Sequence, residues 1–197
     1  MNKINYQQQM ENIIKGLTYK PKLLLHCCCG PCASYVIECL KAHFDITLFW
    51  YNPNIHPNEE WDKRLKSLKL LAEHFALPVV VVDYNTDEYF TAVSGLENEL
   101  EGGKRCKVCT NQRIEKTGEY AKNNGYEWFC TTLSISPLKD AQSLNEQGNA
   151  VQEKYGVKYL PSDFKKKGGY LRSIEMCKEL NIYRQNYCGC IFAKEGN

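Results

Sequence analysis

The apolar run Lys22 to His26 (KLLLH) ends abruptly in CCCGPC, placing four cysteines within positions 27 to 32, and a helix-forming segment follows at once. A short apolar run bounded by Pro21 and the cysteine cluster reads as a strand, and Ala33 to His43 (ASYVIECLKAH) has helical spacing. The same alternation continues down the chain. Asp45 to Tyr51 predicts a second strand, and Asn58 to Phe75 a long amphipathic helix with Trp61, Leu65, Leu68 and Leu71 or Ala72 on one face. Pro78 to Asp83 predicts a buried strand, Thr110 to Asn124 a helix ended by Gly125, and Glu127 to Leu133 another strand. Strands separated by helices predict an α/β fold: one Rossmann-like domain with a mostly parallel sheet and helices on both faces. Ligands in such folds bind beyond the carboxyl ends of the strands, where the thiols after LLLH stand.

A chain of 197 residues has room for one substantial domain, and no repeat, low-complexity tract or Gly/Pro/Ser-rich linker divides it. Its net charge of +2 is only weakly basic, so composition by itself does not argue for nucleic acid. The first twenty residues hold no long apolar stretch, which predicts neither a secretory signal nor a membrane span and places the protein in the cytoplasm. A reducing compartment turns the eleven cysteines away from a disulfide framework and toward metal binding or redox catalysis.

Context sorts those cysteines. Cys39 and Cys177 fall on predicted helices and Cys130 inside an apolar strand, where free cysteine behaves as a small hydrophobe. The other eight are clustered: Cys27, Cys28, Cys29 and Cys32, then Cys106 and Cys109 in KRCKVC, then Cys188 and Cys190 in YCGC. Adjacent side chains in an extended or turning segment point in different directions, so core packing does not account for the first cluster.

Two chemical readings of that cluster compete. CGPC from Cys29 to Cys32, at a helix N-terminus after a strand, is the tetrapeptide of thioredoxin-like dithiol oxidoreductases, whose helix dipole lowers a thiol pKa. That reading leaves Cys28 and the two later pairs without work. A metal site uses more of them. Cys106 and Cys109 have C-x-x-C spacing, and Cys28 and Cys29 can supply a second pair. Zinc accepts four such sulfurs, as in a zinc-stabilised RNA-binding module, but vicinal cysteines suit a larger iron-sulfur cluster better than one small ion. In YCGC, a disulfide across Gly189 would close a small, easily reduced ring and store two electrons; two unrelated free thiols is the other reading.

The segments LLHCCCGPC, FWYNPNIHPNEEW, CKVC, TTLSISPLKD, DFKKKGGYLRS and LNIYRQNYCGCIFA occur in the order seen in the cobalamin-independent epoxyqueuosine reductases, the QueH family. The resemblance runs from about Lys22 to Ala193. It makes residues 22–193 the catalytic domain, 1–21 an N-terminal extension and 194–197 a tail. It implies the last step of queuosine synthesis, removal of the epoxide oxygen from epoxyqueuosine at the wobble base of a tRNA. It further implies a [4Fe-4S] cluster on Cys28, Cys29, Cys106 and Cys109, and a redox-active disulfide between Cys188 and Cys190. A separate mononuclear ion, iron or zinc, is implied nearby, with Cys32 and Asp163 as ligands and Asp140 as the fallback. An electron donor that the sequence does not name completes the set of partners. Deoxygenation takes two electrons whereas such a cluster passes one at a time, so a second redox element or two deliveries are required.

An anticodon loop needs cations and stacking surfaces. Lys165 to Lys167 with Arg172, and Lys104, Arg105 and Lys107, lie close in sequence to the expected site, as do Tyr170, Tyr183 and Tyr187. Residues 22 to 43 also resemble the opening of PP-loop nucleotide-binding folds. The Ser-Gly-Gly-x-Asp-Ser loop is absent, however, and no G-x-G-x-x-G or Walker motif replaces it. His26, His56 and His74 read as structural or surface residues, with His56 on a loop that can approach the site.

Overall fold

A computed structural model describes residues 4 to 194. Five strands, β1 (Lys22–His26), β2 (Asp45–Trp50), β3 (Val79–Val81), β4 (Trp128–Thr131) and β5 (Lys158–Tyr159), form one sheet in the order β3-β2-β1-β4-β5, with every pair parallel. The central β1 is paired on both sides, Leu23 lying opposite Ile46 of β2 and Trp128 of β4. Side chains alternate across the sheet, so Leu23 and Leu25 enter one core and Leu24 the other.

The first core is covered by α1 (Tyr6–Lys15), α2 (Gly30–Leu40), α3 (Asn58–Phe75) and α7 (Gly169–Glu179), which contribute Met10, Val36, Ile37, Trp61, Leu68 and Cys177. The second is covered by α5 (Lys104–Asn123) and α6 (Ala141–Tyr155) through Ile114, Ala121, Leu144 and Val151. Helix α3 buries the expected face of Trp61, Leu65, Leu68, Leu71 and Ala72, carries Glu59 and Glu60 in its first turn, and stops at Ala76 in the left-handed conformation. Acidic groups in the first turn oppose the positive end of the helix dipole. Helix α6 is capped by Asp140, whose carboxylate accepts from the N–H groups of Gln142 and Ser143. The short α4 (Asp87–Val93) and α8 (Ile191–Lys194) make a third, smaller apolar cluster with Tyr89, Val93, Cys109 and Cys190.

Several boundaries differ from those predicted. The segment read as a buried strand at 78–83 is an edge strand with Val81 38% exposed, because β3 pairs only with β2. Helix α2 begins at Gly30 rather than Ala33. Helix α5 begins at Lys104 rather than Thr110, the polar KRCK turn giving no apolar periodicity to reveal it. The predicted strand to Leu133 ends at Thr131, whose hydroxyl accepts from the Leu133 N–H, and residues Thr132–Ile135 coil into a 3-10 turn. Within the expected extension, α1 anchors itself through Met10. Of the expected tail, residues 195–197 lie outside the described residues. Among the described residues, no helix is long and apolar enough to cross a membrane.

Candidate metal and thiol site

The chain goes from β1 to β2 on one side and reaches β4 on the other, so the strand order reverses at the β1/β4 edge. That reversal opens a crevice at the carboxyl ends of the strands. The cysteine loop lies there, tied down by buried polar groups. His26 Nδ1 is 2.9 Å from Thr131 Oγ1 and its Nε2 is 3.2 Å from the Tyr51 carbonyl oxygen, while burial lowers the imidazole pKa to about 4 and keeps the ring neutral. Asn52 donates to the Cys27 carbonyl oxygen at 2.9 Å. Cys27 itself turns into the core and its thiol donates to the Leu25 carbonyl oxygen at 3.3 Å, which leaves it out of the site.

Cys29 caps α2: its backbone is extended and its sulfur accepts from the Cys32 N–H at 3.3 Å. Gly30 lets that turn press onto α3, since a Cβ there would stand 2.9 Å from Ser67 Cβ. As a result the ligand atoms of Cys28, Cys29 and Cys32 all lie within 4.8 Å of one another. They share charge unequally. Hydrogen bonds from Cys29 and Cys32 outweigh burial and hold the Cys28 pKa well below its usual value, with Arg113 adding positive charge. Burial first, and the hydrogen bond to Cys28 second, push Cys29 up, while donation to Cys28 pushes Cys32 up. The arrangement is three sulfur donors within reach of one another with the lowest pKa at Cys28, a soft donor set that suits iron-sulfur, iron or zinc.

Of the later pairs, only Cys188 lines the same cavity as Cys28 and Cys32. On α5, Cys109 is buried beside Tyr89 and Cys190, and burial raises its pKa to about 11. Cys106, one turn earlier and half-buried, accepts from the Gly102 N–H at 3.2 Å. Among the described residues, the structure does not bring these two sulfurs into the group formed by Cys28, Cys29 and Cys32. Arg113, one turn beyond Cys109 and buried, carries positive charge felt by Cys109, Cys188 and Cys28 alike. Cys188 and Cys190 are both free thiols, with Lys139 Nζ 3.8 Å from the Cys188 sulfur. Asp163 pairs with Lys165 at 2.9 Å and Asp140 is spent on its helix cap, so neither carboxylate joins the three thiols.

A cavity of about 430 Å³ opens above these groups, lined by Cys28, Cys32, Cys188, Arg113, Lys139 and Tyr170 among others. Tyr187 also lines it, while Tyr183 lies at the surface with its hydroxyl bonded to Glu60. Four expected phosphate contacts are otherwise engaged, Lys165 by Asp163 and Lys167 by Glu11. Arg105 is buried and donates to the carbonyl oxygens of Glu97 and Glu99, and Arg172 binds Glu38 and Glu179. Lys104, Lys107 and Lys166 are exposed. Sequence reasoning missed Arg64, Arg113, Lys139 and Tyr89. Arg64 had a signal, for a charged residue between Trp61 and Leu68 sits on the apolar face of α3 and needs a buried partner.

An all-parallel α/β domain with convergent thiol donors at its switch point, beside an open cavity, defines a protein whose thiol site is capable of holding a metal. Residues 23–196 match the profile of the family described as "Epoxyqueuosine reductase QueH". The chain is 44% identical to the epoxyqueuosine reductase QueH of Streptococcus pyogenes, over 97% of this chain and 78% of that one, and 42% identical to that of Staphylococcus epidermidis, over 97% and 85%. This chain belongs to the QueH family of epoxyqueuosine reductases and is an oxidoreductase of queuosine biosynthesis. The family match sets aside the thioredoxin-like and zinc-module readings, and full burial of Cys29 already opposed the former, since an attacking thiol must be reachable. The fold is shared with the U34-tRNA thiolase NcsA from Methanococcus maripaludis, solved with its [4Fe-4S] cluster, at a TM-score of 0.61, 13% identity and coverage of 96% of this chain and 69% of that one.

Proposed function

We propose that residues 22–193 form a cytoplasmic catalytic unit that removes the epoxide oxygen of epoxyqueuosine in the anticodon of a tRNA. The observation that carries this reading is the convergence of Cys28, Cys29 and Cys32 at the sheet's switch point, where Cys28 and Cys32 line a cavity of about 430 Å³. The soft donors suit an iron-sulfur centre: Cys28 and Cys29 would hold it from the loop between β1 and α2, and Cys106 and Cys109, which stand outside that group, from α5. When bound, a [4Fe-4S] cluster supplies electrons singly. Cys32 is the donor left for a mononuclear iron or zinc ion, a role for which Asp163 is already occupied by Lys165.

The chain's own groups suit the charge that develops. Deoxygenation breaks both epoxide C–O bonds, forms the C=C bond, and takes two electrons and two protons to release water. Lys139 and Arg113 bring positive charge to the cavity wall, where oxygen leaves with negative charge. Cys188 and Cys190 serve as a redox disulfide that receives reducing equivalents from an external donor. Tyr170 and Tyr187 at the cavity offer ring faces to a splayed base, and Lys104, Lys107 and Lys166 offer cations to phosphates.

Anaerobic reconstitution tests the reading. About four irons and four sulfides per chain, together with conversion of epoxyqueuosine to queuosine in tRNA digests, are expected. One zinc per chain and no conversion would overturn it.

A further inference from the structure

The tripeptide Cys188-Gly189-Cys190 presents its two thiols to opposite surroundings. Cys188 is half-buried and lines the cavity together with Cys28 and Cys32, and its sulfur faces Lys139 Nζ at 3.8 Å. Cys190 is 5% exposed, lies outside that lining, and packs against Tyr89, Val93 and Cys109. Its sulfur is 2.9 Å from the hydroxyl of Tyr89, a fully buried phenol.

The loop is held so that these surroundings cannot be exchanged. Arg64 donates from Nη1 to the Cys188 carbonyl oxygen at 2.9 Å and from Nη2 to that of Tyr187 at 3.2 Å, and the His56 N–H donates to the Gly189 carbonyl oxygen at 2.8 Å. Gly189 has φ +90°, and a Cβ on it would stand 2.8 Å from the Arg64 guanidinium, so the clamp requires glycine there.

We infer that the pair works with a fixed polarity: Cys188 is the sulfur that exchanges with an external dithiol reductant, and Cys190 is the buried partner that leaves. The inference rests on the reading of Cys188 and Cys190 as a redox disulfide. In the first step a thiolate of the reductant attacks Cys188 Sγ, the Cys188–Cys190 bond breaks, and Cys190 departs as thiolate with the Tyr89 O–H donating to it. In the second, the reductant's other thiol attacks its own sulfur in the mixed disulfide and releases Cys188 beside the Lys139 ammonium. Two electrons pass from the dithiol, which becomes a disulfide, and its two protons end on Cys188 and Cys190. Because Cys188 lines the same cavity as Cys28 and Cys32, reductant and substrate approach it from one side and take turns.

The test compares Cys190→Ser and Cys188→Ser in the full chain, prepared anaerobically and exposed to glutathione disulfide. Mixed disulfide is read on the peptide 185–194 by mass spectrometry. Glutathionylation at Cys188 in C190S is expected to run about tenfold or more faster than at Cys190 in C188S, since burial suppresses thiol exchange. Equal or reversed rates overturn the polarity. A Tyr89→Phe chain should shift the thiol-disulfide equilibrium of the pair toward the disulfide by about fivefold, through loss of one hydrogen bond to the reduced sulfur, with Cys188 exchange unchanged. An unmoved equilibrium removes Tyr89 from the role. If oxidation of the unmutated chain never takes two hydrogens from that peptide, the redox-disulfide reading fails, whereas the single-cysteine rates judge the polarity separately.

Discussion

Arg64 Nη1 donates to the carbonyl oxygen of Cys188 at 2.9 Å, joining residues 124 positions apart, while its Nε binds Glu60 at 2.7 Å. The guanidinium is thus the hinge pin between helix α3 and the C-terminal thiol loop, and both members of the ion pair are buried. Removing one partner of a buried pair strands the other charge. Arg64→Ala is therefore expected to lower unfolding free energy by about 3 kcal/mol in denaturant titration. Arg64→Lys, which keeps the charge but cannot span both carbonyls and Glu60, should recover only part of it.

Glu60 makes that contribution depend on pH. Burial pushes its pKa up, but the hydrogen bond and charge of Arg64 and the hydroxyl of Tyr183 outweigh it, so the net shift is downward from 4.5. A depressed carboxylate pKa stabilises the fold fully above the unfolded value and loses that share as pH falls through the folded one. The stability gap between the unmutated chain and Glu60→Gln should be full at neutral pH and narrow below about pH 4.5, measured as paired thermal midpoints. A gap that widens on acidification would contradict the pairing.

Gly30 reports on the close approach that gathers the first three thiols. A Cβ there would meet Ser67 Cβ at 2.9 Å and the Ser67 backbone at 3.1 Å, so the α2 turn must retreat from α3. Gly30→Ala is expected to cost about 1–3 kcal/mol and to weaken metal retention, read as metal bound per folded chain after dialysis.

The proposed cluster ligation divides the cysteines into two groups by expected outcome. Cys28→Ala, Cys29→Ala, Cys106→Ala and Cys109→Ala should each lose bound iron and activity, whereas Cys39→Ala, on the partly buried flank of the first core, should keep both. Intact iron content and activity in Cys106→Ala would separate α5 from the metal centre.

Phosphate contact has a salt signature. Neutralising Lys104, Lys107 and Lys166 together, the three exposed lysines offered to phosphates, should reduce the slope of log affinity for tRNA against log salt by about 2, as two to three phosphate contacts are lost. An unchanged slope in fluorescence anisotropy would show that the patch is a solvated face.

The local pattern of the sequence was enough for the parallel α/β fold, the position of β1 and β2 and the limits of α3. These follow from apolar periodicity and from where a run of side chains can point, which neighbouring residues determine among themselves. Ordered motifs, not periodicity, carried the family. Periodicity failed at the polar first turn of α5, and so could not show that Cys106 and Cys109 share a helix.

What only the tertiary structure decided is which distant groups meet. The placing of Arg113 from α5 among Cys28 and Cys188 depends on the relative placement of separate elements. So do the opposite surroundings of Cys188 and Cys190, set by Arg64 from α3 and Tyr89 from α4. Such contacts span tens to more than a hundred residues, and their energies arise from desolvation and charge pairing that no local window contains.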